Sequence, residues 1–169
     1  FGLLVAGDYR SVKIKQKHLI SSANSLVSEN LEIFNQLANY DFSREYLVQA
    51  SRNIAFISKI DKKFPTAKII VSDKADGKNI LMSFSNWSNL SSAKDGEPDK
   101  SSYVFSTTEE EREYLFSALA GKHKDVRFSA SDGNYELYYP VQSAGKTLVL
   151  YLSDRQTYGS NSDDIFMHY

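Results

Sequence analysis

Apolar and polar residues alternate along several short stretches in the C-terminal half of the chain, and this pattern predicts β-strands. Tyr135, Leu137, Tyr139 and Val141 fall on one face of such a strand, and Tyr138 falls on the other. Residues 148–152, Leu-Val-Leu-Tyr-Leu, are apolar on both faces instead. A strand of that kind needs cover on both sides, so residues 148–152 are predicted to be the central strand of a sheet.

Three two-residue turns divide the predicted strands into antiparallel groups. Asp76-Gly77 joins a strand at residues 66–72 to one at 79–84. Asp132-Gly133 joins residues 125–130 to the alternating strand, and Ala144-Gly145 joins that strand to residues 148–152. Asp-Gly and Xaa-Gly pairs of this type favour tight hairpins, so five antiparallel strands are predicted.

The N-terminal part predicts a long helix, because residues 9–40 contain neither proline nor glycine. Apolar or aromatic residues recur there at every seventh position, and this seam consists of Val12, Leu19, Leu26, Ile33 and Tyr40. The spacing fits a homodimer contact and fits equally a helix that packs only on its own sheet.

Two further helices are predicted from their end signals. Ser43 is a suitable N-cap for a second helix that reaches about Lys63. Thr107 and Glu110 have the spacing of a capping box for a third helix, which Gly121 ends. Between the second strand and this helix, residues 86–102 are rich in Ser, Asn, Asp and Lys and predict a long loop, a feature that often binds something.

Composition and motifs exclude several functions. The net charge of −1 lacks the basic excess of nucleic-acid-binding proteins. The chain has no cysteine, which excludes disulfides, thiolate metal sites and a cysteine nucleophile. Its three histidines are far apart, and no catalytic or phosphate-binding motif is present. We therefore expect no catalytic residue, no metal, no cofactor and no nucleic-acid partner.

Residues 1–7, Phe-Gly-Leu-Leu-Val-Ala-Gly, are apolar but too short to cross a bilayer. They fit the outer end of a transmembrane helix, and they fit equally an arbitrary start of the sequence. Four basic residues follow at positions 10–17, which is the charge usually found on the cytoplasmic side, although they could also solvate a polar helix face.

The order of elements, the hairpin at residues 69–78 and the run Tyr138-Tyr139-Pro140-Val141 before a Gly turn together resemble a known family. They resemble the extracytoplasmic PAS-like sensor domains of the Cache superfamily, in the single rather than the tandem version. The resemblance implies an α+β fold in which a long N-terminal helix and a second helix pack on a five-stranded antiparallel sheet. A loop and a helix would cover the other face, and the first and last strands would be neighbours at the centre.

The resemblance also implies a domain plan and a function. Residues 1–169 would be one domain, with a membrane-proximal dimer helix at 1–40, the sheet core at 66–153 and an exit segment at 154–169. The domain would sense a ligand outside the cytoplasmic membrane for a bacterial histidine kinase, chemoreceptor or cyclic-dinucleotide enzyme. It would be non-catalytic, membrane-tethered and homodimeric through the N-terminal helix. The alternatives are a protein-interaction or dimerisation domain without a small ligand, and a cytoplasmic PAS-like regulatory domain.

The pocket of such domains lies between the sheet and the loop and helix after the second strand, which directs attention to the aromatic residues near that loop. A small polar or anionic ligand would meet a cation, phenols and an indole lid. The predicted ligand-binding residues are Trp87, Tyr103, Arg127, Tyr135, Tyr138 and Tyr139. The alternative is that the aromatics belong to the core or to a dimer surface and that Arg127 is an edge-strand charge.

Overall fold

A computed structural model describes residues 2–60, 66–86 and 97–155. These ranges contain four α-helices, one short 3₁₀ helix and a five-stranded antiparallel sheet, so the predicted α+β class is confirmed. The helices are α1 (Gly2–Glu29), α2 (Leu31–Ala38), α3 (Arg44–Ile60) and α4 (Glu109–Leu119), and the 3₁₀ helix is Lys100–Tyr103. The strands are β1 (Thr66–Ala75), β2 (Lys78–Phe84), β3 (Arg127–Ser131), β4 (Asn134–Ser143) and β5 (Lys146–Arg155).

The strand order is β2-β1-β5-β4-β3, which places β5 at the centre beside β1. Leu148, Leu150 and Leu152 enter the core on one face of the sheet, and Val149 and Tyr151 enter a second core on the other. The central position predicted for the strand that is apolar on both faces is therefore confirmed, as is its pairing with the first strand.

The three predicted turns are confirmed by their backbone angles. Asp76 and Gly77 have φ values of 51° and 73°, and the pairs Asp132-Gly133 and Ala144-Gly145 have the same left-handed signs. Two successive residues with positive φ match the right-handed twist of the strands they join. These turns therefore fix the register of each hairpin.

Helices α1, α2 and α3 cover one face of the sheet, which is called the helical face below. The seam residues of α1 point into this domain, because Leu19 and Leu26 are buried in the core and Val12 packs against it. The seam of this chain thus packs on its own sheet, whereas a homodimer through the N-terminal helix stays a prediction. No described helix is both long and apolar enough to span a bilayer.

The prediction of one continuous N-terminal helix to residue 40 is wrong, because Asn30 interrupts it. The Asn30 backbone leaves the helical region at φ −131° and ψ 41°. Its side-chain amide donates to the Leu26 carbonyl at 2.9 Å, a bond that competes with the helical ladder. The chain resumes as α2, whose Phe34 and Leu37 are buried. The second predicted helix is confirmed as α3 as far as Ile60, and its predicted end near Lys63 lies outside the described residues. The Ser43 hydroxyl accepts a bond from the Tyr46 N–H at 3.1 Å.

Helix α4 packs on the opposite face of the sheet, which is called the α4 face below. Its N-cap is Thr108 rather than the predicted Thr107, and Thr108 accepts from the Glu111 N–H at 3.3 Å. The shift by one residue occurs because the Thr107 hydroxyl contacts the Glu111 carboxylate and the Tyr138 hydroxyl instead. Gly121 ends α4 as predicted, with φ +75° and its N–H on the Ala118 carbonyl at 2.9 Å.

Candidate functional site

The α4 face of the sheet is defined by the register of its last three strands. Arg127 of β3 stands opposite Tyr138 of β4, which stands opposite Tyr151 of β5. Tyr138 and Tyr151 pack with Leu115 of α4. Because side chains alternate along a strand, residues two positions away, such as Glu136, share this face.

Three tyrosines fill the space beneath α4. The rings of Tyr138 and Tyr151 lie 5.2 Å apart, and the rings of Tyr114 and Tyr138 lie 6.1 Å apart. Burial raises the pKa of all three phenols, that of Tyr114 to about 12. The hydroxyls are therefore neutral at physiological pH and act as hydrogen-bonding groups.

Arg127 is held at the edge of this cluster by an acid of α4. Its guanidinium lies 3.0 Å from the Glu110 carboxylate and 5.8 Å from the centre of the Tyr114 ring. The Tyr114 hydroxyl donates to the Asp125 carbonyl at 2.6 Å. These contacts fasten the first half of α4 to β3, so Arg127 has a partner within the domain.

Beyond the tyrosines the same face is polar, and no described element covers it. A pocket of about 390 Å³ opens there, which is within the range of small-molecule sites, about 300–1,000 Å³. The polar side chains that this face contributes are Thr66, Ser129, Ser131, Asn134, Glu136 and Ser153, with Arg155 exposed at the rim.

The floor of the pocket contains one carboxylate, that of Glu136. It accepts a hydrogen bond from the Tyr151 hydroxyl at 2.8 Å, and Tyr151 also hydrogen-bonds Ser153. Burial raises the pKa of Tyr151, and the bond to Glu136 raises it further. The carboxylate is half-buried and lies between Ser129 of β3 and Ser153 of β5 in register. Oxygen-bearing side chains from three adjacent strands therefore lie side by side on this face.

The structure divides the predicted ligand residues between the two faces of the sheet. Arg127 and Tyr138 meet on the α4 face. Tyr139 lies on the helical face, where its hydroxyl donates to the Asn24 side chain. Tyr135 belongs to the helical core and carries Lys15 over its ring at 5.7 Å, although part of it also lines the pocket.

Of the two predicted residues that flank the loop, Tyr103 does not join that group. The ring of Tyr103 packs 5.5 Å from Phe84 and 5.9 Å from Phe42, on the helical face beside β2. Trp87 lies outside the described residues. No single pocket within the described ranges therefore contains all of the predicted residues that these ranges include.

Sequence reasoning missed the serines, Asn134 and Glu136. The side chains of Asn134 and Glu136 point to the same face of their strand as Tyr138, and that of Ser129 points to the same face as Arg127. The signal that could have revealed them is the occurrence of polar residues, in neighbouring strands, at the positions whose side chains point to the α4 face. A short amphipathic helix such as α4 cannot cover the whole length of a ten-residue strand, so the described elements leave part of the α4 face uncovered.

Two further pockets are formed by described residues away from this site. One of about 450 Å³ lies at the opposite end of the sheet, where Lys146 already donates to Asn39 at 2.9 Å. The other has a volume of about 560 Å³, and its described lining residues all belong to α3. In the described ranges, no group of three His, Cys, Asp or Glu side chains is arranged to hold a metal ion.

No protein-family model, curated protein or solved structure matches the chain.

Proposed function

We propose that the chain is a non-catalytic sensor domain that binds a small polar molecule in the pocket on the α4 face. The observation that carries this proposal is the convergence of Ser129, Glu136 and Ser153 from three adjacent strands around an open cavity of about 390 Å³. Polar residues that merely solvate a sheet do not need a concave surface, whereas a ligand site does.

The wider role is that of the input module of a bacterial transmembrane receptor, on the extracytoplasmic side of the membrane. It is supported by the strand order, in which the first and last strands are central neighbours, and by a long N-terminal helix on the face opposite the pocket. Both are features of the PAS-like Cache domains that the sequence resembles. The receptor context, the membrane tether and the homodimer belong to this proposal.

A route for the signal is provided by contacts between the pocket strands and the N-terminal helices. Asp154, which follows Ser153 of the pocket, forms an ion pair with Lys15 of α1. Along β4, Tyr139 and Ser143 hydrogen-bond Asn24 and Asn35. A ligand that shifts β4 against β5 would move these contacts, and it produces a signal only if it prefers one arrangement of the helices.

The alternative of an interaction domain without a small ligand is favoured by one observation. Tyr114, Tyr138 and Tyr151 fill the space under α4 themselves, so that half of the face has no room for a ligand. The open polar half distinguishes the two functions, because an interaction domain has no need of it.

A thermal-shift screen of the chain against polar metabolites tests the proposed function. At a hundredfold excess over Kd a ligand adds about 2.7 kcal/mol to the free energy of unfolding, so Tm should rise by about 5–10 °C. Ser129→Trp, which fills the pocket, should abolish the rise.

Ser72→Trp is the matched control, because Ser72 is exposed on the α4 face and lines the 450 Å³ pocket at the other end of the sheet. It should leave the rise intact. A screen without any stabilising compound, or a rise that survives Ser129→Trp, would refute the proposed pocket.

A further inference from the structure

The chemistry of the pocket lining indicates which class of molecule fits it. Five of the contributing side chains are neutral hydrogen-bonding groups, namely Thr66, Ser129, Ser131, Asn134 and Ser153. Covering them with a ligand costs free energy unless the ligand returns the hydrogen bonds that water made. An apolar ligand would leave these groups unpaired, so the lining favours a ligand with several hydroxyl groups.

The charged side chains of the lining indicate which charge the ligand should carry. Glu136 is half-buried at the floor, and the bond from Tyr151 occupies only part of its capacity as an acceptor. The other acid, Asp154, is neutralised by Lys15. Arg155 is exposed at the rim, where solvent screens its charge more strongly. Among the described lining residues, the charge that lies deepest in the pocket is therefore negative.

A cationic group at the floor would replace water at Glu136 with a charge-assisted hydrogen bond. An anionic ligand would instead face this carboxylate at short range. Arg127 could not offset that cost, because it pairs with Glu110 beside α4 and does not line the pocket.

We propose that the pocket binds a hydroxyl-rich amine of the amino-sugar class. Its ammonium group contacts the Glu136 carboxylate, and its hydroxyls bond the side chains of Ser129, Ser153 and Asn134. This inference rests on the proposed function, since it names the ligand class of the same pocket. It differs from the polar or anionic ligand that the sequence predicts.

Matched sets of sugars test the ligand class by isothermal titration calorimetry of the whole chain. Glucosamine, galactosamine and mannosamine are each compared with the N-acetyl sugar, which is neutral, and with the corresponding uronate, which is anionic. We expect at least one amine to bind roughly tenfold or more tightly than its N-acetyl partner, since a hydrogen bond to a charged group is worth about 1.5–3 kcal/mol. The uronates should not bind.

Glu136→Gln keeps an acceptor for Tyr151 and removes the charge, so it should abolish the preference for the amine. Glu113→Gln is the matched control, because Glu113 is an exposed acid of α4 that does not line the pocket. It should leave the preference unchanged.

The outcomes separate the two proposals. If no amine binds, or if uronates or N-acetyl sugars bind as tightly as the amines, the ligand class is overturned. The proposed function survives that result as long as another compound binds and Ser129→Trp abolishes its binding. If Glu136→Gln keeps the full preference for an amine, the role assigned to Glu136 is overturned.

Discussion

At the scale of single residues, Asp73 joins three parts of the chain on the helical side. It accepts a hydrogen bond from the Tyr40 hydroxyl at 2.6 Å and lies 2.9 Å from the Lys100 ammonium. Burial alone raises the pKa of Asp73, but the bonds from Tyr40, Lys100 and the Lys74 N–H, together with the Lys100 charge, hold this pKa below its usual value. The end of α2, strand β1 and the 3₁₀ helix therefore meet at one carboxylate.

Tyr40→Phe should lower the free energy of unfolding at pH 7 by about 1–2 kcal/mol, because it removes a hydrogen bond to a charged group. The pKa of Asp73 is lower in the folded state than the unfolded value of about 3.9. The stability that depends on its ionisation is present above that value and is lost as the pH falls through the folded-state pKa. Urea unfolding from pH 7 down to pH 3 should therefore show the deficit of the variant shrinking in acid.

Tyr9→Phe is the control for this substitution, because Tyr9 is 64% exposed. It should change the stability little at any pH. A deficit of Tyr40→Phe that stays constant from pH 7 to pH 3 would mean that Tyr40 stabilises the fold by packing alone.

The candidate site was only partly predictable residue by residue. The alternation of β4 correctly separates Tyr138 from Tyr135 and Tyr139, because the period of a strand is fixed. The partner of Arg127 was not predictable, since Glu110 approaches it only when α4 packs across β3. Glu136 was missed for a related reason. An acid whose side chain points to the α4 face indicates a site only once it is known how much of that face α4 covers.

At the scale of elements, the break between α1 and α2 is the clearest departure from a regular helix. The side chain of Asn30 caps the Leu26 carbonyl, and the Asn30 carbonyl accepts from the Phe34 N–H at 3.1 Å to begin α2. The break lets α2 bury Phe34 and Leu37 against the sheet. The break therefore allows both α1 and α2 to pack against the sheet of their own chain.

Asn30→Ala gives opposite results for a broken and a continuous helix. With the break, the variant loses the bond to Leu26, and the free energy of unfolding should fall by about 1 kcal/mol. In a continuous helix alanine would raise it by about 0.5 kcal/mol, because alanine is the better helix former. Urea denaturation measures the sign, and Ser21→Ala on the exposed side of α1 gives the pure propensity effect. Equal stabilisation by both variants would contradict the break.

The elements themselves were largely predictable, because local signals decide them. The turns Asp76-Gly77, Asp132-Gly133 and Ala144-Gly145 and the run at residues 148–152 correctly predicted the hairpins and the central strand. The break at Asn30 was not predictable, since the seam spacing continues through it without proline or glycine. The break accompanies the burial of Phe34 and Leu37 against the sheet, which the seam spacing alone does not reveal.

At the scale of the whole molecule, the sheet separates two surfaces of different character. The helical face is covered by α1, α2 and α3 and is joined to β4 by Tyr139 and Ser143. On the α4 face, a tyrosine cluster fills one half, and in the other half the described residues leave a polar pocket. A ligand on one face and the N-terminal helices on the other would therefore share strands β4 and β5, which is the arrangement a sensor needs.

The proposed ligand site is this polar pocket. Amide chemical shifts of the isotope-labelled chain, recorded by NMR with and without the tightest-binding compound of the screen, test it most directly. The largest changes should fall on Ser129, Ser131, Asn134, Glu136 and Ser153. Changes concentrated around Gly121 and Gly145 at the other end of the sheet, or along α3, would contradict it.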